Sequence, residues 1–130
     1  MTNVLLLALA LALLQILLLP VFLNFILLDK EQYKANVRYL LSNRDEPIQT
    51  PVPVQRVSRA ATNLQETLPL FLALVILGII AGQDLVALGY SWLALRVAYF
   101  LCYSYGIEKI RSFVWIASVI VLVMMALKFV

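Results

Sequence analysis

The stretch from Asn3 to Leu28 carries no charge and, among polar side chains, only the amides of Asn3, Gln15 and Asn24. At ~1.5 Å per residue such a run crosses a hydrocarbon core of about 30 Å with some tilt. It does not read as a cleavable leader: no Lys or Arg precedes the apolar stretch, and no small-residue cleavage site follows it. Pro20 lies inside the run and is expected to kink it. Three further apolar runs follow, roughly Arg56 to Ala81, Leu85 to Tyr105 and Ser112 to Val130. With 64% hydrophobic and 13% charged residues, the chain lacks the polar surface of a soluble domain. The predicted fold is an all-α membrane protein, a single domain over residues 1–130. Its transmembrane helices are expected near 3–28, 56–81, 85–105 and 112–130.

The connections carry most of the charge. Asp29, Lys30, Glu31, Lys34, Arg38, Arg44, Asp45 and Glu46 crowd the first. Pro47, Pro51 and Pro53 then predict an extended segment, so Asp29 to Gln55 reads as an aqueous loop with a frayed helical start. Gly82, Gln83 and Asp84 form a tight turn, and Gly106 to Arg111 a short polar loop. Lys and Arg gather in the first and third connections, while the N-terminus and the middle turn have none. The positive-inside rule therefore places those two connections in the cytoplasm and both termini outside. The absence of His excludes a His-based metal site or triad, and one Cys, Cys102, excludes an internal disulfide and a Cys-cluster metal site. Cys102 reads as a small packing residue. Neither a metal nor a nucleic-acid partner is expected; the net charge of +3 is small. Gly78 and Gly82 form a small-x-x-x-small pair suited to close helix packing. Trp92 and Trp115 read as interfacial anchors or, for Trp92, as packing.

Ionisable groups at membrane depth are costly and point to function. At ~100° per residue, Arg59, Asn63 and Glu66 lie within about 60° of one another on the second span, with Arg56 on the same stripe. Glu66 falls roughly 15 Å beyond the expected start of that helix. Arg96, Tyr99 and Tyr103 share one face of the third span, and Arg111 opens the fourth. Antiparallel neighbours bring these stripes to one depth, near the cytoplasmic side, and Arg38 could cover the mouth. Arg outnumbers Glu66, so the cluster suits an anion whose carboxylates guanidinium can grip. Pro69 frees the carbonyl of Gln65 and is expected to bend the helix just after Glu66. A purely structural alternative is an ion-pair network, Glu66 with Arg59 or Arg96, that locks the bundle.

Two stretches resemble the MAPEG family, the membrane-associated proteins in eicosanoid and glutathione metabolism. Arg56-Val-Ser-Arg59-Ala60-Ala-Thr-Asn63-Leu-Gln-Glu66-Thr-Leu-Pro69-Leu-Phe71 is similar to its second-helix signature. Arg96-Val-Ala-Tyr99-Phe-Leu-Cys-Tyr103, with Arg111-Ser112, is similar to the signature spanning the third and fourth helices. Ala61 and Thr67 depart from side chains found in some members. The resemblance implies a homotrimer with glutathione bound between neighbouring subunits near the cytoplasmic side, and a bacterial inner membrane is the expected setting. It implies glutathione contacts at Arg59, Asn63, Glu66, Tyr99 and Tyr103, and at Arg96 unless Arg96 partners Glu66. Arg38 matches a basic residue after the first helix, and Arg111 the Arg that stabilises the thiolate. The implied activity is a glutathione-dependent transferase or peroxidase acting on apolar electrophiles or lipid hydroperoxides. Two alternatives stand beside it: a non-catalytic protein of the same fold, and a small four-helix transporter of cationic drugs.

Overall fold

The computed structural model describes residues 1–45 and 50–130, the side chain of Phe25 excepted. Its helices are α1 (Thr2–Ala12), α2 (Leu19–Leu27), α3 (Lys30–Leu41), α4 (Val52–Ala81), α5 (Val86–Tyr105) and α6 (Glu108–Ala126). A π-helical segment, Leu13–Leu18, joins α1 to α2, so the first span is continuous from Thr2 to Asn24. With α4, α5 and the stretch Glu108–Phe129 it makes four helices, among the described residues, long and apolar enough to cross a membrane. The physical source of the π segment is Pro20. Its ring would clash with the carbonyl of Ile16 in a regular helix, and the Leu19 N–H instead reaches Leu14 O, one residue further back.

The first connection is more ordered than a frayed start. Asp29 caps α3, its carboxylate accepting from the Gln32 backbone N–H at 2.8 Å. Asp29 and Gln32 have the spacing of a capping box. The helix that follows is exposed and polar, with an i,i+3 ion pair between Lys34 and Glu31 at 3.2 Å. Glu46 and Pro47 lie outside the described residues. Pro51 is extended, as expected, but Pro53 is not: α4 begins at Val52 and holds Pro53 in its first turn. Backbone N–H groups there have no intrahelical acceptor, so a missing one costs nothing. Starting at Val52 rather than Arg56 puts Glu66 about 21 Å beyond the helix start at ~1.5 Å per residue. Across Pro69 the helix runs on unbroken.

Two glycines close helices. Gly82 (φ 66°) and Gly106 (φ 74°) occupy the left-handed position after α4 and α5, with Gln83 N–H bonded to Gly78 O and Ile107 N–H to Cys102 O, each at 2.9 Å. The expected packing pair therefore divides. Gly78 is buried, and a Cβ there would lie 2.8 Å from Leu85 Cδ1, whereas nothing stands within 4 Å of Gly82, whose role is the turn. The third connection also shrinks, because α6 begins at Glu108 and takes Arg111 into its first turn.

Helices α4 and α5 form the centre, with α1 packed on both and α6 packed mainly on α5. Val4, Ala8, Ala12 and Gln15 make the inward stripe of the first span. Its N-terminal half seats against α5 so closely that a Cβ at Gly89 would lie 2.6 Å from Val4 Cγ1. Trp92 is fully buried and stacked on Phe71, centroids 3.9 Å apart and planes 9° apart, which joins α5 to α4. Trp115, by contrast, is 40% exposed on α6. The outward surface is dominated by Leu, Ile, Val and Phe, the composition that lipid rather than water requires. The molecule is thus an integral, multi-pass membrane protein.

Candidate functional site

The polar side chains sit at the first half of α4, the second half of α5 and the first turns of α6. Up-and-down topology places these at one end of the bundle. Gln55 organises the entrance to α4: its Nε2 donates to Thr50 O at 2.7 Å and its Oε1 accepts from Arg59 Nη2 at 3.1 Å. Arg56 leaves the stripe. Its guanidinium lies against the α5–α6 turn, within about 3 Å of where a Cβ at Gly106 would stand. Gly106 is required for its positive φ, and its missing side chain leaves the Arg56 guanidinium room to lie against the turn.

Two adjoining cavities open between α4, α5 and α6. One, of about 390 Å³, is lined by Asn63, Tyr99, Tyr103, Arg111, Ser112, Trp115 and Ile116. The other, of about 250 Å³, is lined by Arg59, Thr62, Asn63, Glu66, Tyr99 and Tyr103. Asn63, Tyr99 and Tyr103 belong to both, so the two are halves of a single cleft. The larger half falls within the ~300–1,000 Å³ usual for small-molecule sites. The tyrosine rings meet edge to face with centroids 5.7 Å apart, and Arg111 Cζ lies 4.7 Å from the centroid of Tyr103. That cation–π contact steadies the Arg111 side chain at the cleft wall. The cleft therefore presents a cation in each half, Arg59 and Arg111, and Glu66 as its carboxylate.

Of the residues singled out by sequence, Arg59, Asn63, Glu66, Tyr99, Tyr103 and Arg111 line this cleft. Arg96 lies behind it and lines neither half. It is 2% exposed, its guanidinium 5.1 Å from the Trp92 ring centroid and 5.8 Å from that of Tyr99. Its Nη1 donates to Asn63 Oδ1 at 2.7 Å, while Nε and Nη2 are buried with no partner. The proposed pairing of Glu66 with Arg59 or Arg96 is corrected here. Among the described residues the only ion pair is Lys34 with Glu31. Arg59 turns to Gln55, Arg96 turns to Asn63, and Glu66 is exposed. The geometric reason is helix rotation: Arg96 points into the core between α4 and α5, and Glu66 points outward from α4. Arg38 is exposed on α3 and lines neither half of the cleft.

Thr62, Trp115 and Ile116 line the cleft without having been singled out as site residues. Their signal was periodic: Thr62 lies one turn before Glu66, and Ser112, Trp115 and Ile116 follow the i, i+3, i+4 spacing of one face of α6.

A four-span bundle with a polar cleft between its second, third and fourth membrane helices defines a class of small integral membrane proteins. The chain belongs to the MAPEG family, whose family model matches residues 4–130. No match was found among curated proteins or solved structures.

Proposed function

We propose that this protein is a glutathione-dependent membrane transferase or peroxidase, working as a homotrimer with its cleft completed by a neighbouring copy. The observation that carries the reading is the cleft's composition: Arg59 and Glu66 in one half, Arg111 in the other, and Asn63 and two tyrosines shared by both. Glutathione has two carboxylates, one ammonium and a thiol. Arg59 and Asn63 answer carboxylate, and Glu66 answers ammonium. Arg111 then stands in the other half, where a cation beside the sulfur lowers the thiol pKa and raises the thiolate fraction. The thiolate forms a C–S bond with an apolar electrophile entering from the bilayer past Trp115 and Ile116, expelling its leaving group. With a lipid hydroperoxide it attacks the terminal oxygen, and the O–O bond breaks to release the lipid alcohol. A second glutathione then reduces the resulting sulfenic acid to the disulfide with loss of water. The protein supplies orientation and charge stabilisation rather than a covalent intermediate.

Family membership supports the thiol chemistry, and the outward polar face of α4 supports the trimer. Arg59, Thr62 and Glu66 are exposed on the isolated chain although they belong to a membrane-crossing helix. Such groups face a protein interior or a wet cavity rather than lipid. In the orientation set by Lys and Arg, the cleft opens toward the cytoplasm of a bacterial inner membrane, where glutathione is available. The direct test is titration of glutathione into the detergent-solubilised protein while following thiolate absorbance in the ultraviolet. Binding with a thiolate signal near neutral pH is expected; no binding at millimolar glutathione would reject the reading.

A further inference from the structure

We infer that Arg96 is a positioning residue: by donating to Asn63 Oδ1, it turns the Asn63 amide nitrogen toward the cleft, so that this position presents its N–H donors to an oxygen acceptor such as a carboxylate or carbonyl. Among the described residues Glu66 is then the one carboxylate lining the cleft, available for a ligand's ammonium group. The assignment rests on the partner's chemistry. The two ends of an Asn amide usually look alike, but guanidinium has donors only, so the atom 2.7 Å from Arg96 Nη1 must be the oxygen. With the amide reversed, two donors would face each other in a half-buried site. Asn63 lines both halves of the cleft, and with Oδ1 turned inward its remaining polar atom is Nδ2.

The energetics of Arg96 point the same way. A buried cation with no carboxylate partner is costly, and an apolar residue of similar volume would fill the space between Trp92 and Tyr99 without that penalty. Two of its three nitrogens lack partners. Its single hydrogen bond goes to a residue of the cleft wall, and the rings of Trp92 and Tyr99 hold the guanidinium in place for it.

The ligand in this inference rests on the glutathione reading, but the amide orientation does not, and the experiment separates the two. The first measurement needs no ligand: the side-chain amide resonance of Asn63 in 15N-labelled protein, assigned by its loss in Asn63→Ala. It should shift or broaden in Arg96→Met and stay in place in Arg96→Lys, which keeps a donor. An unmoved resonance in Arg96→Met overturns the inference. The second is a double-mutant cycle read by glutathione affinity. Arg96→Met should weaken binding ~10-fold in the wild-type background, the loss expected for one hydrogen bond to a charged group. In the Asn63→Ala background, with no amide left to orient, the same change should alter affinity by less than about twofold. A loss of about tenfold in both backgrounds would mean that Arg96 meets the ligand itself and would overturn the positioning role. Should Arg96→Met not fold, Arg96→Lys carries the test. Retained amide resonance and affinity support the inference, and loss of both at an unchanged melting temperature overturns it. Absence of glutathione binding in every variant rejects the glutathione reading alone, since the ligand-free resonance still decides the orientation.

Discussion

The two ends of this bundle are built on opposite terms. At the end holding both termini, contacts are apolar, tight and complete within one chain: Val4 in the notch of Gly89, Leu85 and Met1 over Gly78, Met125 and Leu122 in the same core. At the other end the contacts are polar and incomplete. Among the described residues Arg96 finds no partner for two of its nitrogens and Glu66 no ion pair, and Arg59 and Thr62 are exposed. One end spends its residues on shape, and the other leaves hydrogen-bonding capacity unused. Within lipid, where association depends on van der Waals packing and polar satisfaction rather than on the hydrophobic effect, that division separates a region built for packing from one with polar groups free for a partner, the region proposed to bind ligand.

Substitutions at each end should therefore fail in different ways. The largest expected effect is Trp92→Ala, which removes the stack on Phe71 and opens a cavity where the two regions meet. A loss of about 3–5 kcal/mol is expected, read as a lower denaturation midpoint in detergent. A loss below about 1 kcal/mol would show that the stack does not join α4 to α5. Next is Arg111→Ala, which should lower turnover about 100-fold or more while leaving glutathione affinity within a few-fold and melting temperature unchanged. Equal turnover would remove Arg111 from the mechanism. Gly89→Ala should destabilise by about 1–3 kcal/mol through overpacking against Val4, with the affinity of the surviving folded fraction unaltered. Pairing it with Val4→Ala should recover part of the loss, and no recovery would show that the contact is not the cause. The smallest is Glu66→Gln. It should weaken glutathione binding about tenfold, as for one charged hydrogen bond, without a change in melting temperature. A clear drop in melting temperature would instead mark Glu66 as structural and blur the division between the ends.

Much of this was legible in the sequence, for local reasons. Hydropathy over a bilayer's length marks a span whatever it packs against, and the helical period places Arg59, Asn63 and Glu66 on one stripe before any neighbour is known. The start of α3 reads as frayed in the sequence, although Asp29 carries a local N-cap signal: its carboxylate accepts from the Gln32 N–H and makes α3 a helix. Pro53 misled because the same residue reads as a breaker or as a first-turn residue, depending on where the helix begins.

Sequence alone thus determined four spans, a polar end and the side chains gathered there, because each follows from chain-local chemistry. The tertiary structure decided which of those side chains meet. Arg96 takes Asn63 and not Glu66, and Arg56 goes to Gly106 and not to the cleft. Those choices follow from how far α4 and α5 are rotated and offset against each other. Apolar packing sets both, through Phe71 of α4 on Trp92 of α5, beneath the Arg96 guanidinium, and through α1, whose Val4 seats α5 at Gly89.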